Sequence, residues 1–344
     1  MSNRSATDAR ETERLLADAR RQGDLDDVAE ALMLHANALV NAGQITQARQ
    51  ELDEAADIHR QRGRTYDEAR CTHLAATLCR LEGHPAEARV RAERAAQLVE
   101  PGTPIAVSAA TELGEIALLE GKAAEAADAY TRALASGEAA GMVDAARAAL
   151  LRKRAIAVTA SGRHRDAAKD LAMAQGLLLR AGDTKGAIRA LIEEAAALQQ
   201  GGFTADADRV KVEARRMAEA AQDHVAQADL DLLDSTQAVT RRDVAAAMAA
   251  ARSARQHALE GVAPILYVSA SLAIAQLAET AGDRLGAYEA LAVGWVTLGD
   301  LLGREVARAS FEPKLLELRE RWGADAFAEV KAAYEARRRA ERGA

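Results

Sequence analysis

Cys71, His73, Cys79 and His84 come nearest in this chain to a metal-ligating set. Structural zinc takes thiolates and imidazoles in pairs about two to four residues apart. Here the cysteines stand eight residues apart, which on a helix is about 12 Å along the axis and about 80° around it. That is beyond the Cα separation of about 7 Å that a disulfide spans. The adjacent carboxylates of Glu193 and Glu194 read as a solvated helix face rather than a catalytic dyad. The sequence has no phosphate-binding loop ending in Gly-Lys-Ser/Thr, no Gly-x-Gly-x-x-Gly after a strand, no Gly-x-Ser-x-Gly and no His-Glu-x-x-His. No catalytic residue, cofactor or metal ion is expected, and the chain is not expected to be an enzyme.

Charge and composition narrow the partners. Basic clusters at Arg60, Arg62 and Arg64 and at Arg337, Arg338 and Arg339 are the only candidates for nucleic-acid contact. A net charge of -7 and 3% aromatic residues argue against that role, which needs cationic surface and stacking rings. The 49% hydrophobic content is carried by Ala and Leu, the strongest helix formers. The polar start, Met1 to Arg14, lacks the apolar core of a secretory signal. The longest apolar stretch, Val262 to Ala278, is interrupted by Pro264, Ser269, Ser271 and Gln276, and a bilayer span needs about 20 apolar residues. It is expected to be a buried helix. No membrane association is expected, and the cytoplasm is the expected compartment.

A repeat must position these residues. Gly43, Gly83, Gly121, Gly162, Gly202, Arg242 and Gly282 follow one another at intervals of 40, 38, 41, 40, 40 and 40 residues. Five residues after each stands alanine: Ala48, Ala88, Ala126, Ala167, Ala207, Ala247 and Ala287. Twelve after stand Ala55, Ala95, Ala133, Ala174, Ala214, Ala254 and Gly294, and seven before stand Ala36, Ala76, Gly114, Ala155, Ala195, Ser235 and Ala275. A glycine can end one helix (A) in the left-handed conformation before the next (B) begins. Small residues seven apart on B share a face, so A and B can approach closely and antiparallel. In this register Cys71 takes the slot of Ala31, Ala109, Leu150, Ala190, Leu230 and Ala270. Cys79 takes that of Leu39, Ala117, Val158, Leu198, Ala238 and Ala278. Both therefore read as core residues. His59 matches Val99, Leu178 and Leu298, so it is expected to pack.

The small residue in A, the glycine at the turn and the two alanines in B resemble the tetratricopeptide repeat, over Leu25 to Leu301. The chain departs from that family in lacking most of its aromatics (Tyr130 is the main survivor), in matching its proline only at Pro104, and in a period nearer 40 than 34. The resemblance implies an all-α, TPR-like α-solenoid, a right-handed superhelix of antiparallel helix pairs in one continuous domain. Residues 1–23 would be an N-terminal capping helix and residues 24–301 seven helix pairs. Residues 302–344 would form a degenerate eighth repeat and C-terminal cap. Gly323 and Ala328 set the register of that cap, its first helix is expected to start near Pro313, and Trp322 and Phe327 would seal the core. The tail from Lys331 to Arg342 would be a solvated, basic helix end.

The resemblance further implies that the A helices line a concave binding face. Six residues before each anchor stand Asn37, Thr77, Glu115, Ile156, Ala196, Thr236 and Gln276. Three before stand Val40, Arg80, Leu118, Thr159, Gln199, Val239 and Glu279, and ten before, His73, Thr111 and Arg152. Asn37 and Asn41, one turn apart, offer paired donors and acceptors to a peptide backbone. The family's carboxylate clamp needs recurring Lys, Asn and Arg, of which only scattered members such as Arg80 and Arg152 occur, so chaperone-tail binding is not expected. The expected function is a scaffold or adaptor that binds another protein or a peptide. The alternative is a regulatory sensor whose conformation responds to a peptide or small ligand.

Overall fold

A computed structural model describes the backbone of residues 2–343 and the side chains of residues 9–341. Met1 of the expected N-terminal cap and the side chain of Arg342 lie outside the described residues. Every described element is an α-helix, and the chain falls into two compact units, Met1–Ala187 and Ile188–Ala344. The first holds α1 (Ser2–Gln22), α2 (Leu25–Asn41), α3 (Ile45–Gln61), α4 (Thr65–Leu81), α5 (Pro85–Gln97), α6 (Pro104–Leu119), α7 (Ala123–Ala139), α8 (Asp144–Ala160) and α9 (His164–Arg180). The unit boundary falls within α10 (Thr184–Gln200). The second unit continues with α11 (Thr204–Ala220), α12 (His224–Thr240), α13 (Val244–Glu260), α14 (Pro264–Thr280), α15 (Arg284–Leu302), α16 (Arg304–Trp322) and α17 (Ala324–Gly343). Within each unit, consecutive helices pack as antiparallel neighbours.

Most helices are 17 residues long, about 25 Å, and each ends in the same way. At the first turn Gly43 takes φ 77°, and the Gln44 N–H donates to Leu39 O at 2.9 Å while Gly43 N–H donates to Val40 O at 3.0 Å. That pair of bonds caps two orphan carbonyls of α2. The closure recurs at every A-to-B turn, as in Lys122 to Ala117 and Asp283 to Ala278, both 2.8 Å. It also recurs at the return turns, as in Arg64 to His59 and Asp183 to Leu178, both 2.9 Å. Gly63, Gly141 and Gly182 supply the left-handed residue there, and Gly102 takes the same conformation in the longer connection from α5 to α6. Where glycine is missing, Gln222, Arg242 and Val262 adopt φ of 51°, 60° and 51°, a conformation that costs an L-residue about 1–2 kcal/mol.

The small slots are the core. Ala48, Ala88, Ala126, Ala167, Ala207, Ala247 and Ala287 are all 0% exposed. On α12 the Ser235 hydroxyl donates to Ala247 O of α13 at 2.9 Å, which shows directly that the slot seven before the anchor faces the slot five after it. Cys71 and Cys79 are enclosed like the residues of their slots. Where a ring enters this tight seam, the facing alanine shrinks to glycine. A Cβ on Gly114 would stand 2.7 Å from the fully buried Tyr130 ring, and one on Gly294 would stand 2.7 Å from Phe311 Cζ.

One expectation needs correction. The helix of the terminal repeat starts at Arg304, and Pro313 lies inside it. Proline removes the donor to the carbonyl four residues back; that residue, Ala309, is exposed, so water can replace the bond. The stretch Val262 to Ala278 is indeed a core helix, with Tyr267, Ile274 and Leu277 buried in α14. The described helix long and apolar enough to cross a bilayer is instead α15, by length and composition only. Its Leu291 and Leu298 pack with Phe311 and Leu318 of α16, where Trp322 and Phe327 complete the cluster.

Gly114→Ala should cost about 1–3 kcal/mol by overpacking, read as a lower midpoint in urea. The double variant with Tyr130→Leu should recover most of that loss, since the ring is what the new methyl meets.

Candidate functional site

Several residues expected on the binding face are engaged within the fold. Arg80 Nε donates to Glu112 Oε1 at 2.6 Å, and Thr77 Oγ1 lies 3.1 Å from Glu112 Oε2. Glu112 comes from α6, so this cluster ties neighbouring A helices together around a carboxylate whose side chain is 6% exposed. Glu115 accepts from Lys153 of α8. Gln199 Nε2 donates to Leu233 O at 3.1 Å and Thr236 Oγ1 to Leu232 O at 2.9 Å. Glu279 accepts from Trp322 Nε1 at 2.9 Å and from Arg321 at 2.8 Å, closing α14 onto α16. His73 and Thr159 are half-buried, as is Arg152, which has its own interaction. Burial holds His73 below the usual imidazole range. Asn37, Asn41 and Gln276 are exposed.

The other candidate chemistry is also absorbed. Burial pushes the Cys71 thiol up to about 12, against the thiolate that metal binding requires, and His84 sits exposed at a turn. His59 is 4% exposed with neither ring nitrogen hydrogen-bonded, and burial lowers its pKa, so it packs as neutral imidazole. Arg62 and Arg64 both pair with Asp26, and Arg60 with Asp57 and Glu68. Arg337 pairs with Glu289 and Glu341. Glu193 and Glu194, expected as a solvated face, are half-buried instead, and desolvation lifts Glu194 to about 7.

A recess does open on the A helices of the second unit. Ile192 and Ala196 of α10, Leu232 and Leu233 of α12, and Ile265 and Leu266 of α14 line a trough of ≈ 660 Å³. Its walls are mostly apolar carbon, and Ile265 is 81% exposed. Arg189, Glu193 and Asp229 stand on the walls, two carboxylates to one guanidinium. Burial raises the Asp229 pKa and Glu193 and Asp223 add to the rise, while Arg189 opposes it. Ile192 and Leu232 occupy the row ten before the anchor. After Met33 that row is polar at His73, Thr111 and Arg152 and then turns aliphatic at Ile192, Leu232 and Leu272. Ala196 and Thr236 of the row six before the anchor line the same trough.

No family model and no curated protein matches this chain. Solved structures do match in fold. A signal-transduction ATPase with a tetratricopeptide repeat sensor, PH0952 from Pyrococcus horikoshii, aligns with TM-score 0.60 at 15% identity over 90% of this chain and 49% of its own. This chain therefore spans about half of that protein. BtubC from P. vanneervenii aligns with TM-score 0.54 at 16% identity, covering 64% of this chain and 92% of its own. A Rap protein solved in complex with Competence and Sporulation Factor aligns with TM-score 0.50 at 13% identity, over 90% and 87% respectively. These similarities show a TPR-like all-α fold.

The Arg80 contact carries a consequence for stability. Arg80→Ala should cost about 3–5 kcal/mol, because it strands a buried carboxylate. Replacing both partners, Arg80→Met with Glu112→Leu, should restore most of that in chemical denaturation.

Proposed function

We propose that this chain is a non-catalytic protein- or peptide-binding scaffold of the cytoplasm, built on a long-period tetratricopeptide-like repeat, and that the α10–α12–α14 trough is its principal contact surface. The observation that carries this reading is the clustering of accessible aliphatic side chains from three neighbouring A helices in one recess, on a row that is polar at His73, Thr111 and Arg152. Apolar surface gains about 25 cal/mol per Å² on leaving water, so a side chain seated between Ile192, Leu232 and Ile265 supplies binding energy that the polar rows do not. The acidic excess on the walls favours a segment carrying a basic residue beside that apolar one. The exposed Asn37, Asn41 and Gln276 are secondary contact candidates on the A-helix rows, and the similarity to a Rap protein holding Competence and Sporulation Factor supports a bound partner of this general kind.

Fluorescence anisotropy with short labelled peptides pairing Leu or Phe with Arg tests this reading on the full chain. Ile265→Asp and Leu232→Asp should each weaken binding tenfold or more, while Val90→Asp, at a site 67% exposed in the first unit, should not. Retained affinity in both trough variants would refute the assignment. Affinity should also rise with pH. Burial favours the protonated Asp229, a cationic partner favours the carboxylate, so binding releases a proton and strengthens as pH climbs through the raised pKa. Asp229→Asn should flatten that dependence.

The second reading, a sensor whose helices rearrange on binding, is favoured by the strained turns at Gln222, Arg242 and Val262 around α12 and α13. Strain of this kind concentrates in elements that switch. Small-angle scattering of the chain with and without a bound peptide separates the two readings. A sensor changes its profile and a rigid scaffold does not.

A further inference from the structure

We infer that His224, His257 and Glu260 form a binding site for a divalent transition-metal ion of the zinc class, at the paired ends of α12 and α13. His224 opens α12 and Glu260 closes α13, so antiparallel packing brings them to the same end, with His257 one turn inside. One donor atom from each of the three lies within 4.8 Å of the others. His224 Nδ1 stands 3.2 Å from Glu260 Oε2. Tetrahedral zinc with bonds of about 2.0–2.1 Å sets its ligands about 3.4 Å apart. One edge of the triangle therefore already has the required length. The remainder closes by side-chain rotation, for which the 40% exposure of both His224 and Glu260 leaves room. Two imidazoles and a carboxylate are a donor set suited to zinc, with a fourth position open to water.

The surroundings supply what a ligating histidine needs. His257 Nδ1 lies 2.9 Å from Asp231 Oδ2, a contact of the kind that fixes the tautomer of a ligating histidine and leaves Nε2 as its free donor nitrogen. Asp231 is itself held by the Ser253 hydroxyl at 2.6 Å and by Arg215 at 2.9 Å, with its side chain 7% exposed. On the other wing, His224 Nδ1 is inaccessible to solvent, and its 3.2 Å contact with Glu260 Oε2 lacks hydrogen-bond geometry.

The repeat provides an internal comparison. In the other six units the His224 slot holds Leu25, Thr65, Thr103, Asp144, Thr184 and Pro264. The His257 slot holds Ile58, Leu98, Ser136, Leu177, Met217 and Thr297. The Asp231 slot, a core position, holds Leu32, Thr72, Ala110, Leu151, Leu191 and Ser271. Imidazole, imidazole and buried carboxylate thus enter together in one unit, between the left-handed turns at Gln222 and Val262. Packing alone calls for none of these departures. The helix ends do not oppose the site: the positive pole of α12 beside His224 is offset by the negative pole of α13 beside Glu260.

Titration of the untagged full chain with zinc chloride against a chromophoric chelator tests the inference. The wild type should take up one ion at a saturable site, with X-ray absorption reporting nitrogen and oxygen ligands at about 2.0–2.1 Å and no sulfur. His224→Ala and His257→Ala should each weaken uptake tenfold or more with helicity unchanged by circular dichroism, and His84→Ala should leave it intact. Absence of a saturable site in the wild type, sulfur in the coordination shell, or wild-type uptake by both histidine variants would overturn it. The outcome is independent of peptide binding in the trough, since no donor residue lines that recess.

Discussion

Close approach of helix backbones through alanine governs this molecule. The slots five and twelve residues after each A-to-B turn are sealed from solvent and, Gly294 apart, hold alanine. With so little side chain between the helices, their separation is set by backbone and Cβ contacts, which neither repack nor tolerate added bulk. The turns follow from this. Helices that must lie flush along their whole length need connections of two or three residues, and the left-handed residue with its paired backbone bonds reverses the chain in that space while satisfying carbonyls. The glycines and the alanines are thus two sides of one requirement.

An alanine seam recurring at a fixed interval has a weakness: it discriminates poorly between neighbours. Buried ionisable pairs supply the discrimination. His35 meets Glu51, Arg80 meets Glu112 and Arg154 meets Asp170 in the first unit, while Lys211 meets Asp234 and Arg215 meets Asp231 in the second. Such pairs add little net stability, because desolvation offsets their attraction. Shifting a helix by one repeat, however, would set a buried Lys211 where an apolar residue, Leu171 or Ala251, belongs and leave its charge uncompensated. The pairs therefore act on which helix meets which, and Arg80, whose type and exposed-looking position suggest a ligand contact, serves that purpose.

Periodicity made the fold readable from the residues alone. The anchor glycines and the alanines at fixed offsets locate helix ends, facing slots and the core placement of Cys71 and Cys79, because those features depend on spacing within about twenty residues. The return turns at Gly63, Gly102, Gly141 and Gly182 form a second glycine series, which the anchor spacing alone does not locate. Pro313 misled because proline marks a helix start only where its missing donor would otherwise be unsatisfied, and an exposed carbonyl removes that condition. Side-chain partnerships were far less legible. Nothing in the local sequence says that Glu112 lies under Arg80 or that Asp231 reaches His257, since each pair is joined by packing across a turn or a whole helix pair. The apolar change in the row ten before the anchor was legible in principle, and required following one slot through every unit.

Departures from the repeat pattern locate function in this kind of molecule. A slot whose occupant is dictated by packing shows the same small residue in every unit, so its identity carries no information about a ligand. Information lies in departures that packing does not ask for. In the second unit the departures gather: aliphatic residues on accessible faces of α10, α12 and α14, a buried carboxylate in a core slot of α12, histidines at two slots where no other unit has one, and three turns held left-handed without glycine. The turns raise the energy of the segment by a few kcal/mol in sum, and glycine, used at the equivalent turns of the first unit, would remove much of that cost. Where a repeat gives up stability in the same stretch in which it acquires polar and apolar groups foreign to its pattern, the economical physical account is that the stretch serves something other than the repeat.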